Sequence, residues 1–181
     1  DEYYWEVDDS LLYLPYAGSC FRKIAPDPVS GKTRSRFIPA VDFIVPYWAK
    51  SLKTAPRYTH RYTMPVNDYA RAVDNGYFID ADFTPTPQNL NTDRRALSDV
   101  SDDRVETYHE DDHILELYEM TIDLEFEWET EGNGKKYKYP YTVTFERETQ
   151  RVVRIARCWD ENDPKCEKDV WLTHEKFLPG L

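Results

Sequence analysis

Glycine is scarce in this 181-residue chain, six residues against twelve prolines, so its turns must be built mostly from stiff residues between many short segments. Cysteine is scarce too. Cys20, Cys158 and Cys166 are an odd number with no C-x-x-C pair, which argues against a disulfide scaffold and fits a reducing compartment during folding. They read as ordinary thiols, buried or at the surface. No apolar run approaches the roughly 20 residues of a bilayer-spanning helix, and no targeting segment is expected. Basic residues are in deficit: 23 Lys and Arg stand against 34 Asp and Glu, a formal net charge of −11. Such a surface repels DNA phosphates and acidic membranes. Arg57, Arg61, Arg94 and Arg95 are the residues that would have to make a local exception.

What the chain does have is length for a real core and a high aromatic content, with 14 Tyr. It reads as a single domain over 1–181. Starting at Asp1-Glu2 without Met and stopping at "FLPGL", it also reads as a piece of a longer chain. Asp8 or Asp9 is the expected N-cap of a helix tail that stops before Pro15. "SCFRKIAP" (19–26) and "TRSRFIP" (33–39) are expected to form a hairpin around "DPVSGK". Short strands are expected over 41–48 and over 57–64, where Tyr58, His60 and Tyr62 alternate with Arg57, Thr59 and Arg61. "VNDYARAVDNG" (66–76) predicts an amphipathic helix with Tyr69, Ala70 and Val73 on one face and Gly76 past its end. Residues 81–112 turn polar and read as a mobile loop, with a weak helix over 93–100.

The clearest periodicity follows. Over 118–128 every even residue is large and apolar (Tyr118, Met120, Ile122, Leu124, Phe126, Trp128) and every odd one is polar. A period of two predicts a half-buried strand with Asp123, Glu125 and Glu127 facing solvent. Asn133-Gly134 turns the chain into a second strand carrying Tyr137, Tyr139, Tyr141, Val143 and Phe145. Pro140 suggests an edge or a bulge there. "RETQ" turns again into 151–158. Three such strands make an antiparallel meander with an exposed acidic face. "VWLTHEKFLPG" leads out of the domain. The fold class is therefore α+β: an antiparallel β-meander with short helices and a long polar loop.

Two motifs suggest chemistry. His109-Glu110-Asp111-Asp112-His113 satisfies H-E-x-x-H, which binds zinc only on a packed helix. Its approach, "SDDRVETY", is polar, its exit enters a strand, and Glu116 and Glu119 stand where a longer form needs Gly and His. It reads as a solvated acidic turn. "SGKT" (30–33) resembles the end of a phosphate-binding loop, but Pro26 replaces the required Gly and a strand follows, so it reads as a hairpin turn. Glu116, Glu119, Asp123, Glu125 and Glu127 read as a solvated row and not a Ca²⁺ site. No catalytic, cofactor-binding or metal-ligating residue is assigned, and no cofactor is expected.

Several phrases become specific when taken in order: "LLYLPYAGSCFRK" (11–23) with "DP" (27–28), "RFIPAVDFIVPYWAKSLKTAPRYTHR" (36–61), "NGYFID" (75–80), "ILELYEMTIDLEFE" (114–127), "PYTVTFERETQRVVRI" (140–155) and "HEKFLPG" (174–180). Together they resemble a stretch of the portal proteins, or head-to-tail connectors, of short-tailed double-stranded DNA bacteriophages. The resemblance leaves the polar 81–112 loop and the extreme N-terminus unmatched. It implies a wing-like, peripheral part of a non-enzymatic virion subunit, which forms a ring, usually of twelve copies, at one capsid vertex. Genome packaging and ejection move DNA through such a ring. The implied partners are further copies of the subunit, the terminase motor, capsid or scaffold, and tail proteins. The implied location is the virion portal vertex, and the host cytoplasm during assembly, with no membrane. DNA passes through the ring without being bound by this part. The family's channel helices lie beyond the phrase that matches "FLPG". Two other readings are a zinc-dependent hydrolase built on His109, Glu110 and His113, and a protein-binding module unrelated to phage.

Overall fold

The computed structural model describes residues 2–81, 114–126 and 138–177. The chain is an α+β fold of two antiparallel sheets and two helices. Helix α1 (Glu2–Ala17) leads into the hairpin β1 (Ser19–Pro26) and β2 (Thr33–Pro39). A single 3₁₀ turn precedes β3 (Phe43–Ile44); β4 (Arg57–Pro65) and α2 (Val66–Asp74) follow. Then come β5 (Ile114–Leu124), β6 (Tyr139–Glu146), β7 (Val152–Arg157) and β8 (Leu172–Lys176). One sheet has the order β2-β1-β8, the other β3-β4-β5-β6-β7.

The expected meander is present as β5-β6-β7, and the "DPVSGK" hairpin closes as expected. In that turn Asp27 Oδ2 accepts from the Ser30 N–H and hydroxyl at 2.9 and 2.6 Å, while Gly31 takes a φ of +67°. Strand β4 has the expected phase, burying Tyr58, His60 and Met64. Its pairing with β5 spans a long intervening segment and had no local signal. The last strand, β8, carries no apolar alternation. It is held by its ladder to β1, where His174 stacks on Phe21 with ring centroids 4.5 Å apart.

The phase of the long strand differs from expectation. Leu115, Leu117 and Thr121 are the buried residues of β5, all odd-numbered. Leu115 and Leu117 pack with Met64, Tyr69, Ala72, Phe78 and Val153 under α2. The even-numbered Ile122, Leu124 and Phe126 are only half-buried, against Tyr139, Tyr141 and Val143 on the other face. Val143 is buried as expected, whereas Phe145 is half-buried. The strand is thus covered on opposite faces at its two ends, and an alternation read over one window reports only one of them. A third core joins the sheets through Phe21, Ile38, Phe43, Ala55 and Tyr58.

Other boundaries also move. Helix α1 is not capped at Asp8 or Asp9 but runs from Glu2 through Pro15, whose ring can make no N–H bond to the preceding turn. It ends where Gly18, at φ +76°, donates to the Leu14 carbonyl at 2.8 Å. Only Phe43–Ile44 of the 41–48 stretch pairs as a strand. On α2 the buried residues are Tyr69 and Ala72, with Ala70 exposed. Pro140 lies neither at an edge nor at a bulge: β6 is bonded on both sides, and its irregularity falls at Thr144/Phe145. Proline fits because its position is near the strand start; its carbonyl accepts from Cys158 at 3.0 Å, just past the end of β7. Trp128, Glu127, Tyr137, the Asn133-Gly134 turn and all of the 81–112 loop but Ala81 lie outside the described residues.

Candidate functional site

Between the two sheets lies a polar cleft. Strand β1 brings Lys23 to one wall and β5 brings Glu119 to the other, 96 residues away. The ammonium donates to both carboxylate oxygens, at 2.6 and 2.7 Å, and both side chains are largely buried. Glu119 was expected on a solvated acidic face; the odd-numbered face of β5 turns inward instead. Burial pushes its carboxyl up, but Lys23, His60 and Arg154 more than offset this and hold it below the usual carboxylate range. His60 is 5% exposed. Burial, helped by Lys23, drives its pKa down to about 4, so it is a neutral imidazole at pH 7. Among the described residues its Nδ1 has no hydrogen-bond partner.

A cavity of about 230 Å³ opens beside the ion pair, lined by Tyr58, Tyr77, Thr121, Thr142, Arg154 and Trp171 among others. The Thr121 and Thr142 hydroxyls lie 3.3 Å apart. A smaller cavity, about 40 Å³, shares Lys23, Tyr77 and Glu119 with the first and adds Arg34, Arg36 and His60. Tyr77 is the common wall. The Arg154 guanidinium sits over its ring at 4.2 Å from the centroid. Nothing local announced this cleft, because Lys23, Arg36 and Arg154 come from three strands of two sheets.

The second feature is an exposed apolar surface. Helix α1 turns Ser10 and Tyr13 toward the β1–β2 hairpin, where Ser10 Oγ accepts from Arg22 at 3.0 Å and Tyr13 meets Phe37 edge-on at 5.4 Å. Its outer face carries Tyr4, Trp5, Leu12 and Tyr16, from 70 to 92% exposed. Around β3, Val41, Ile44, Tyr47 and Trp48 are also exposed, Tyr47 fully so.

No family model and no curated protein matches the chain. The residues flagged from sequence are scattered. His109, Glu110 and His113 lie outside the described residues, and among those described no group of His, Cys, Asp or Glu could hold a metal ion. The acidic row of β5 is divided between two faces: Glu116 binds Arg147 at 2.7 Å, Glu119 binds Lys23, and Asp123 lies 3.4 Å from Lys168. Arg61 is held by Asp42, at 3.1 Å from its Nε, and Arg94 and Arg95 lie outside the described residues. Cys20 and Cys158 are buried free thiols; burial, with Glu175 beside it, pushes Cys20 up to about 11, so it is no nucleophile at neutral pH. Among the described residues no helix is long and apolar enough to cross a membrane.

Proposed function

We propose that this chain is a wing-like part of the portal subunit of a short-tailed double-stranded DNA bacteriophage, with a structural and non-enzymatic role at the virion's portal vertex. The observation that carries the proposal is the exposed apolar surface on α1 and around β3. Tyr4, Trp5, Leu12 and Tyr16 on one side, and Val41, Ile44, Tyr47 and Trp48 on the other, are large side chains left in water. Large exposed apolar side chains, when they cluster, mark interaction surfaces, and Tyr and Trp are enriched in them. A ring needs two unlike patches on each subunit, one for each neighbour, because its contacts are head to tail. Exposed apolar residues on two different segments of one chain suit that geometry. The ordered phrases that resemble portal proteins include Leu12 and Tyr16 of the first group, at 11–23, and all of the second, at 36–61, while Tyr4 and Trp5 precede them.

The test is assembly of the full product of the gene that encodes this sequence. Electron microscopy and light scattering should show closed rings. Replacing Tyr47 and Trp48 together by serine should reduce rings to small species while leaving the fold intact, since both side chains are exposed. A full gene product that stays monomeric at micromolar concentration would overturn the reading.

A further inference from the structure

The cleft has an uneven charge balance that its internal pairs do not remove. Lys23 is neutralised by Glu119, Arg34 lies 4.0 Å from Asp27, and Arg157 binds Glu161 at 2.8 Å. Arg36 and Arg154 are left. Among the described residues neither has a carboxylate within ion-pair distance. Arg36 lines the smaller cavity and Arg154 the larger, and Tyr77 belongs to both. The Nδ1 of His60, without a partner among the described residues, lies in the same wall, in a side chain 95% buried, where polar atoms ordinarily have partners.

We propose that this cleft binds a small phosphate monoester, with the phosphate held by Arg36 and Arg154 beside Tyr77. The planar guanidinium matches a phosphate's oxygens two at a time, and two such forks match the double negative charge a monoester carries above its second pKa of about 6. A carboxylate carries only one negative charge and would leave the second guanidinium unneutralised. The organic part lies against Ala156, Trp171 and Leu172 in the larger cavity. At about 230 Å³ that cavity is below the roughly 300–1,000 Å³ of drug-sized sites, so the ligand is small. This inference is independent of the portal reading, which rests on the outer surface of α1 and the segment around β3.

Isothermal titration calorimetry of the 181-residue chain at low salt and pH 7.5 tests it, with phenyl phosphate, inorganic phosphate and benzoate as probes. Phenyl phosphate should bind saturably at one site, more tightly than inorganic phosphate or benzoate. Arg36→Gln and Arg154→Gln should each weaken it about tenfold to a hundredfold, the range for a lost charge-assisted contact. Arg57→Gln makes the same charge change on the opposite face of β4 and should leave binding unchanged; thermal melts establish that all three variants fold. No saturable heat at about 10 mM phenyl phosphate would overturn the proposal. So would equal affinity for benzoate, or a loss with Arg57→Gln as large as with Arg154→Gln.

Discussion

The residue with the least comfortable position is His60. The cationic Lys23 and Arg36 oppose its protonation and the anionic Glu119 and Asp42 favour it, while burial dominates and takes the pKa from 6.5 to about 4. The unfolded chain therefore binds a proton at His60 over a range where the folded chain does not. Stability is fully present above pH 6.5 and falls as the pH drops toward 4. The shift corresponds to about 3 kcal/mol, which urea unfolding at pH 7 and pH 4.5 should detect in large part. His174, also shifted down, contributes with the same sign, so His60→Phe should flatten the slope without abolishing it. An unchanged slope in that variant would remove His60 from the account. Glu119 and Lys23 make a separate prediction. Glu119→Gln strands an ammonium that is 16% exposed and should cost about 3 kcal/mol. Replacing both, Lys23→Met with Glu119→Leu, should return stability to within about 1 kcal/mol of wild type, because a buried pair is repaid little beyond its own desolvation. A double variant as unstable as the single one would mean that the pair positions the two sheets.

At the level of elements, β5 decides most. Leu117 is fully buried beneath α2, so Leu117→Ala should cost about 3 kcal/mol, in the range of truncations that leave a cavity. Leu124 is half-buried at the other end, and its truncation should cost about half of that or less. Chemical denaturation of the two variants distinguishes the observed arrangement from a strand buried on its even face, for which the order would reverse. The same strand shows how much was legible. Its existence and place in a meander follow from period-two alternation, a local property of the backbone, whereas its start at Ile114, four residues before the expected 118, does not. Its burial does not, because Leu115 and Leu117 lie just before the window and in the opposite phase. What covers each face is set by α2 on one side and Tyr139 and Tyr141 on the other, which no local pattern specifies. Helix α1 extends beyond its sequence signal for a related reason. Its outer face is as apolar as its inner one, so the usual amphipathic signal is blurred where an interaction surface is expected. Likewise β8 is recognised only through its partner: "LTHEK" has no strand signature of its own. The cleft was illegible throughout, since its charged residues lie tens of positions apart and meet only through the stacking of two sheets.

For the whole molecule the dominant quantity is the charge of −11, and its consequence for DNA is definite. Non-specific duplex binding is driven by release of counterions from neutralised phosphates, so it needs several cations in register on one convex or grooved surface. Here Arg22, Lys23, Arg61, Arg147 and Arg157 each face a carboxylate. Arg36 and Arg154 line a recess too narrow for a duplex, and Arg57 stands exposed on β4 with Arg61 already held by Asp42. Basic proteins bind DNA non-specifically at about 10⁻⁴–10⁻⁶ M, and this chain should bind more weakly than that range even at low salt. Fluorescence anisotropy of a labelled duplex in about 20 mM salt would measure it. A flat titration agrees with a part of a ring past which DNA moves without adhering. A micromolar Kd that weakens steeply with salt and is lost in Arg57→Gln would show that local cations outweigh the global field. It would also make this chain a DNA-contacting element, which its paired arginines argue against.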